Sequence, residues 1–255
     1  MDIKARVQQQ FGKNAEKYVS SPIHAKGKDL AQMVEISNAE PQDRLLDIAT
    51  GGGHTANVFS PLVKEVTALD LTSEILEAAK RFIEGNGYHN VSFVKGDAEK
   101  LPFSEESFEV VTCRIAPHHF PDLQSFISES YRVLSQGGTL LIVDNTAPER
   151  KEYDEFYNDI EKRRDHSHYR AWKKSEWITF LEKAGFRIEQ INVFKKTFTF
   201  DSWCDRMELK KEEKDQLIKK MTDSPSHVKK YFSIMEKDGK VQEFSGEAVL
   251  IKAVK

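Results

Sequence analysis

The chain has 255 residues, 39% of them hydrophobic and 31% charged, with 13 glycines and 8 prolines. That is enough for one large core, and it excludes a collagenous, low-complexity or largely disordered chain. Thirty-eight Lys and Arg against 41 Asp and Glu leave a net charge of −3, so no single-sign field favours nucleic acid or anionic lipid, and neither is an expected partner. Cys113 and Cys204 are too few for a disulfide framework or a four-cysteine metal site, and no metal is expected. Residues 1–8 hold no apolar run and the strongest one anywhere is Leu140–Val143, so the expectation is a cytoplasmic protein, neither secreted nor membrane-inserted.

Residues 1–40 read as helical up to Pro41, a leading segment that could serve as a lid. Five short apolar runs follow, at 44–49, 65–70, 91–97, 108–115 and 138–144, alternating with helical patterns at 54–60, 73–84 and 123–134. Alternation of this kind predicts an α/β fold, a Rossmann-like doubly wound sheet with helices on both faces. Right-handed crossovers put the carboxyl ends of all five strands on one edge, where such sheets bind ligands. Beyond them come a charged helix at about 149–163, a loop at 165–170, a helix at 175–184 stopped by Gly185, and a long strand at 186–200. Residues 201–236 are helical and charged and 241–254 rich in β-branched residues, so the former read as an insertion in a terminal β-hairpin. The expected organisation is a lid (1–40), a core (41–200), and an insertion with a final strand completing the same domain (201–255).

The most informative segment is Leu45-Leu46-Asp47-Ile48-Ala49-Thr50-Gly51-Gly52-Gly53-His54, a strand entering a glycine turn that opens a helix. Glycines there let backbone approach a ligand and permit positive φ. Gly51, Gly53 and Ala56 also satisfy the dinucleotide spacing G-x-G-x-x-A, so a nicotinamide-dependent oxidoreductase is the alternative to be weighed. Asp47 argues against it, because an acid ending the first strand repels a pyrophosphate and suits a cation. S-Adenosylmethionine is such a cation, with an ammonium and a sulfonium. Asp70 ends the second strand, where a carboxylate accepts from ribose hydroxyls. Asp97 ends the third, placed to accept from an adenine amino group.

With these residues the chain resembles the class I S-adenosylmethionine-dependent methyltransferases, specifically the branch related to the ubiquinone and menaquinone biosynthesis C-methyltransferases. The resemblance spans about residues 10–200 and rests on Leu45–Gly53, Val66–Asp70, Val94–Phe103, Phe108–Phe120 and Arg132–Gly138. It implies a seven-stranded sheet, mostly parallel with an antiparallel last strand. It also implies that Ala49, Gly51 and Gly53 line the methionine portion of the cofactor, that Asp70, Leu71 and Thr72 hold its ribose, and that Asp97 and Ala98 hold adenine. Arg114 would lie by the methionine tail or the transferable methyl, and Tyr18 belongs to the lid element. Two departures stand out: Ala49 replaces the usual Gly, so that its Cβ should limit φ, and Glu109 replaces the usual Asp.

On the acceptor side, His118 and His119 follow the fourth strand and are the candidate bases for an acceptor that must lose a proton. His166, His168, Tyr169 and Arg170 form a second candidate group, offering an Arg fork and an aromatic ring to a small-molecule acceptor. A non-catalytic adenosylmethionine-binding protein is the remaining alternative.

Overall fold

The computed structural model describes residues 3–13, 19 and 27–255. Ile3–Lys13 (α1) and Lys28–Ile36 (α2) precede the sheet. Its strands are Arg44–Ile48 (β1), Glu65–Asp70 (β2), Val91–Lys95 (β3), Phe108–Arg114 (β4), Leu134–Ala147 (β5), Trp172–Lys173 (β6), Arg187–Thr199 (β7), Met235–Lys237 (β8) and Lys240–Val254 (β9). The main path runs β3-β2-β1-β4-β5-β9-β7. β1 to β5 pair in parallel, while β9 lies antiparallel between β5 and β7. The seven-stranded sheet with its antiparallel last strand is therefore present, together with two short additions: β6 beside β5 and β8 beside β9.

Strand residues alternate between two apolar cores because successive side chains leave opposite faces of the pleat. Leu46, Val111, Leu140 and Ile142 join Phe126, Trp177 and Leu181 on one face. Leu45, Val110, Leu141 and Val143 join Met33, Phe59 and Ile83 on the other. The covering helices include His54–Phe59 (α3), Ser73–Gly85 (α4), Leu123–Val133 (α5), Lys151–Arg164 (α6) and Lys174–Lys183 (α7). Two of them stop where glycine accepts the left-handed turn, Gly87 at φ +87° after α4 and Gly185 at φ +101° after α7. Cys113 and Cys204 are free and buried. Burial holds both thiols protonated, that of Cys204 raised to about 12.

Residues 200–231 form three short helices, Phe200–Asp205 (α8), Lys211–Thr222 (α9) and Ser226–Tyr231 (α10). They bury Trp203, Leu217, Met221 and Val228 against Tyr157 and Ile160 of α6 and Phe244 of β9, a third apolar core over the far end of the sheet. No helix among the described residues is long and apolar enough to cross a membrane.

Candidate active site

β1 delivers its last residues into a turn of unusual backbone. Ala49, Gly51 and Gly53 all have positive φ, +53°, +55° and +80°. The expectation that a Cβ would limit φ at Ala49 is thus corrected: alanine takes the left-handed conformation its glycine equivalent would take freely, at a strain of about 1 kcal/mol. The turn is pinned at several points. Thr50 N donates to Leu69 O (2.9 Å) and Gly53 N to Thr50 O (3.0 Å). Asp47, buried beneath, accepts from the hydroxyls of Thr50 (2.6 Å) and Thr112 (2.8 Å). One oxygen therefore holds the turn and the other ties β1 to β4, so the acid read as a partner for a cation acts first within the fold. Burial pushes its carboxyl up to about 6, against those hydrogen bonds.

Asp70, ending β2, ties the neighbouring strands together. It accepts from Gly51 N (3.1 Å) and from Thr72 N at the start of α4 (3.0 Å). Desolvation raises it, too, to about 6. β3 stops at Lys95, so Asp97 lies two residues past the strand rather than at its end. It accepts from Glu99 N (3.0 Å) and from Lys4 Nζ of α1 (2.6 Å), and Lys4 also pairs with Glu99. Arg114, ending β4, donates through Nε to Asp29 of α2 (2.7 Å). Ile115 follows at φ +55°, a strained conformation for a β-branched residue, fixed by its N–H to Val143 O (2.7 Å).

These strand ends enclose one cleft of about 1030 Å³, its open mouth included, at the edge where open α/β sheets bind ligands. Asp47, Ala49, Gly51, Asp70 and Leu71 line it, as do Asp97, Ala98, Arg114 and His119. Gly53 and Thr72 do not. A Cβ on Gly53 would meet Ile83 Cδ1 at 2.9 Å and Ala79 Cβ at 3.0 Å, so this glycine is needed for packing against α4, and Thr72 acts through its N–H to Asp70. Tyr18 lies outside the described residues. Sequence reasoning missed Lys4 and Phe11, which bring α1 over the cleft, and Ile115, whose strained backbone has no signature in composition.

The two histidines divide. His119 lines the cleft, its ring edge-on to Phe11 (5.1 Å between centroids) and its Nδ1 2.9 Å from Ser167 O. Burial and the neighbouring His118 lower it to about 4, so it is neutral. His118 is corrected as a candidate base: it does not line the cleft, and its Nδ1 is 2.5 Å from the buried Asp144 Oδ1. Desolvation alone would lower His118, but the Asp144 carboxylate outweighs it and raises it.

The loop read as an acceptor site does not reach the cleft either. His166 is exposed, and Tyr169 stands out on the surface. His168 is buried against Asn158 Oδ1 (3.1 Å), and Arg170 is paired with Asp154 (3.0 Å) and Glu176 (3.3 Å). The loop instead backs the histidine turn, with Tyr169 N and Arg170 N both donating to His118 O (2.8 and 3.0 Å).

A methyltransferase-domain family profile matches residues 46–142, from β1 into β5. A Bacillus subtilis (strain 168) protein named as the uncharacterized methyltransferase YcgJ is 37% identical over 246 residues, 96% of this chain and 97% of its own length. The chain belongs to the S-adenosylmethionine-dependent methyltransferases. A solved candidate methyltransferase from Bacillus halodurans C-125 superposes with a TM-score of 0.89 at 52% identity, covering 90% of this chain and 99% of that one. A ubiquinone/menaquinone biosynthesis C-methyltransferase from Stutzerimonas stutzeri is 33% identical over 129 residues, about half of each chain (49% and 50%). In this methyltransferase the usual Asp of the fourth motif is Glu109. The longer side chain accepts from Arg44 N, Nε and Nη2 (2.8, 3.1 and 2.7 Å) and from Ser135 Oγ (3.1 Å), which joins β1, β4 and β5 at the edge away from the cleft.

Proposed function

We propose that this methyltransferase binds S-adenosylmethionine in the cleft over β1 to β4 and methylates a small-molecule acceptor by in-line displacement. The observation that carries the reading is the convergence of Asp47, Asp70 and Asp97 around one glycine turn in one cleft. Burial raises Asp47 and Asp70 to about 6, which leaves both largely ionised at neutral pH, so the floor is acidic and favours a cation and hydroxyl donors over a pyrophosphate. Ala49 and Gly51 would lie along the methionine portion, Asp70 and Leu71 along the ribose, Ala98 and Asp97 along adenine, and Arg114 near the methionine tail. Lys4 would have to share Asp97 with the adenine amino group, which makes α1 responsive to the nucleoside.

The cofactor, when bound, supplies a methyl on a sulfonium, whose electron pair returns to sulfur as the new bond forms. The chain's own task is to hold the acceptor in line and keep water out. α1 contributes Phe11 to the cover, and His119 presents a neutral imidazole to the reacting region. A small acceptor suits a cleft closed over by α1, and a net charge of −3 offers no basic surface to a nucleic acid.

The test is calorimetric titration of S-adenosylmethionine, S-adenosylhomocysteine and NADH into the wild-type chain and Asp70→Ala. Binding of the first two that weakens in the variant supports the reading. Binding of NADH alone, or of none, overturns it.

A further inference from the structure

Two sequence segments that looked independent, the histidine pair after β4 and the loop after α6, form one buried unit. The carbonyl oxygen of Ser167 has no proton to give, so its 2.9 Å contact requires that His119 Nδ1 be the protonated ring nitrogen. Ser167 is itself held. Asp165 Oδ1 accepts from Ser167 N (2.9 Å) and from Ser167 Oγ (2.5 Å), and that hydroxyl lies 3.3 Å from the same His119 nitrogen. Asp165 is fixed in turn at the end of α6, donating its N–H to Glu161 O (2.8 Å) and accepting from His168 N (2.9 Å). Asp165, Ser167 and His119 are all buried. The imidazole also makes a T-shaped contact with Phe11 of α1.

We propose that Asp165 and Ser167 are positioning residues for His119. They lock its ring as the Nδ1–H tautomer and turn Nε2 toward the cleft, where it accepts the O–H or N–H of the methyl acceptor. The proposal rests on the methyltransferase reading of the cleft. Burial would raise Asp165, but Arg164, the hydrogen bonds from Ser167 and, in acid where it is protonated, His119 outweigh it and lower it to about 2, so Asp165 stays ionised. The charged and titratable groups around His119 are His118 from its own turn, Asp144 from β5, and Asp165 and His168 from the loop, His168 being itself lowered by burial. The two acids favour a protonated His119, but burial and His118 prevail, so the lone pair on Nε2 is available at neutral pH. As the acceptor atom gains a methyl its proton becomes far more acidic, and Nε2 is placed to take it, with Asp165 beside the resulting imidazolium.

The experiment uses the full chain labelled with 15N-histidine and saturated with S-adenosylhomocysteine, in which two-bond nitrogen–proton correlations report the protonation of each ring nitrogen. His119 is expected as a single neutral Nδ1–H tautomer, unchanged from about pH 5.5 to 8. Asp165→Ala is expected to give mixed tautomers with affinity for S-adenosylhomocysteine held within about twofold. Asp165→Asn, whose amide oxygen still accepts from Ser167, is expected to restore the single form. Ser167→Ala, read in the same way, substitutes for Asp165→Ala if the latter does not fold. A wild-type His119 in the Nε2–H form, or one titrating near the ordinary value of about 6.5, overturns the proposal. So does a single Nδ1–H tautomer that survives in both Asp165→Ala and Ser167→Ala. Failure of the wild-type chain to bind S-adenosylhomocysteine overturns the function instead, so the two failures are told apart.

Discussion

Over β1, β2 and β3 the carboxyl edge of the sheet is an open cleft, whereas from β4 to β7 the same edge is filled by the chain's own polar groups. In the first half, backbone in left-handed conformations and three acids leave space and unspent hydrogen-bonding capacity for a ligand. In the second, Asp144 meets His118, Asn145 Oδ1 accepts from Lys196 Nζ (3.0 Å), and Glu161 Oε2 receives two hydrogen bonds from Arg164 (3.1 and 2.9 Å). Buried charges are costly unless paired. The filled half therefore has its stability in its pairs, and the open half has its affinity in acids and backbone that still face the cleft. Arg114 and His119 stand at the boundary between the two.

This contrast breaks most severely at His118. His118→Ala leaves the fully buried Asp144 side chain without the imidazole it is paired with, and breaking such a buried pair costs about 3–5 kcal/mol. Urea unfolding should show that loss with little change in S-adenosylhomocysteine affinity, and an unchanged midpoint would mean the pair does not hold the filled half. A glycine comparison comes next. Gly53→Ala places a Cβ against Ile83 and Ala79 at positive φ and should cost about 2–4 kcal/mol, whereas Gly51→Ala, with no side chain within 4 Å, should cost only the strain of about 1–2 kcal/mol. Equal costs would show that α4 yields.

Both halves left traces in the sequence, but of different kinds. The open half was legible because its determinants are local: Thr50 to Gly53 are consecutive, Asp47 lies one residue before the end of β1, and Asp70 closes β2. Even there, spacing did not reveal that Gly53 serves packing, or that Asp97 lies past its strand and is bonded to Lys4. The filled half was misread because its pairs join distant positions. His118 meets Asp144 26 residues on, and His119 meets Ser167 48 residues on. Side chains in such a network look, one by one, like candidate ligands for an acceptor. The terminal hairpin was legible for the opposite reason: long β-branched runs at 187–199 and 240–254 declare strands wherever they pair.

Asp70→Ala sharpens the open half. It removes the acceptor for Gly51 N and Thr72 N and, on the proposed binding mode, for two ribose hydroxyls, so S-adenosylhomocysteine should bind about 1–3 kcal/mol more weakly, roughly 5- to 150-fold. Titration of wild-type Asp70 gives the same test without a mutation, in two opposite directions. Its carboxyl is raised from the ordinary 3.8 to about 6, so between those values the folded chain holds a proton that the unfolded chain has released. The contribution of Asp70 to stability is therefore full below about 3.8 and lost as pH rises through about 6. Ligand affinity should run the other way, because ribose hydroxyls donate to the ionised form: nearly constant above about pH 7, then falling toward tenfold per unit below about 6. Calorimetry and thermal melting across that window check both signs, and affinity that does not change with pH would place the ribose elsewhere.

The smallest effect is expected at Ala49, on the border of packing and binding. Its φ of +53° costs an alanine about 1 kcal/mol that a glycine does not pay, while glycine loses more entropy on folding. Ala49→Gly should therefore stabilise the chain by no more than about 0.5–1 kcal/mol. Because Ala49 lines the cleft beside Gly51, the same change would loosen a turn that is held in its binding conformation before any ligand arrives. A small gain in unfolding free energy with a small loss of S-adenosylhomocysteine affinity is the expected pair of results. A gain in both would mean that the Cβ of Ala49 obstructs the ligand, and that the turn owes its shape to Asp47 and Asp70 alone.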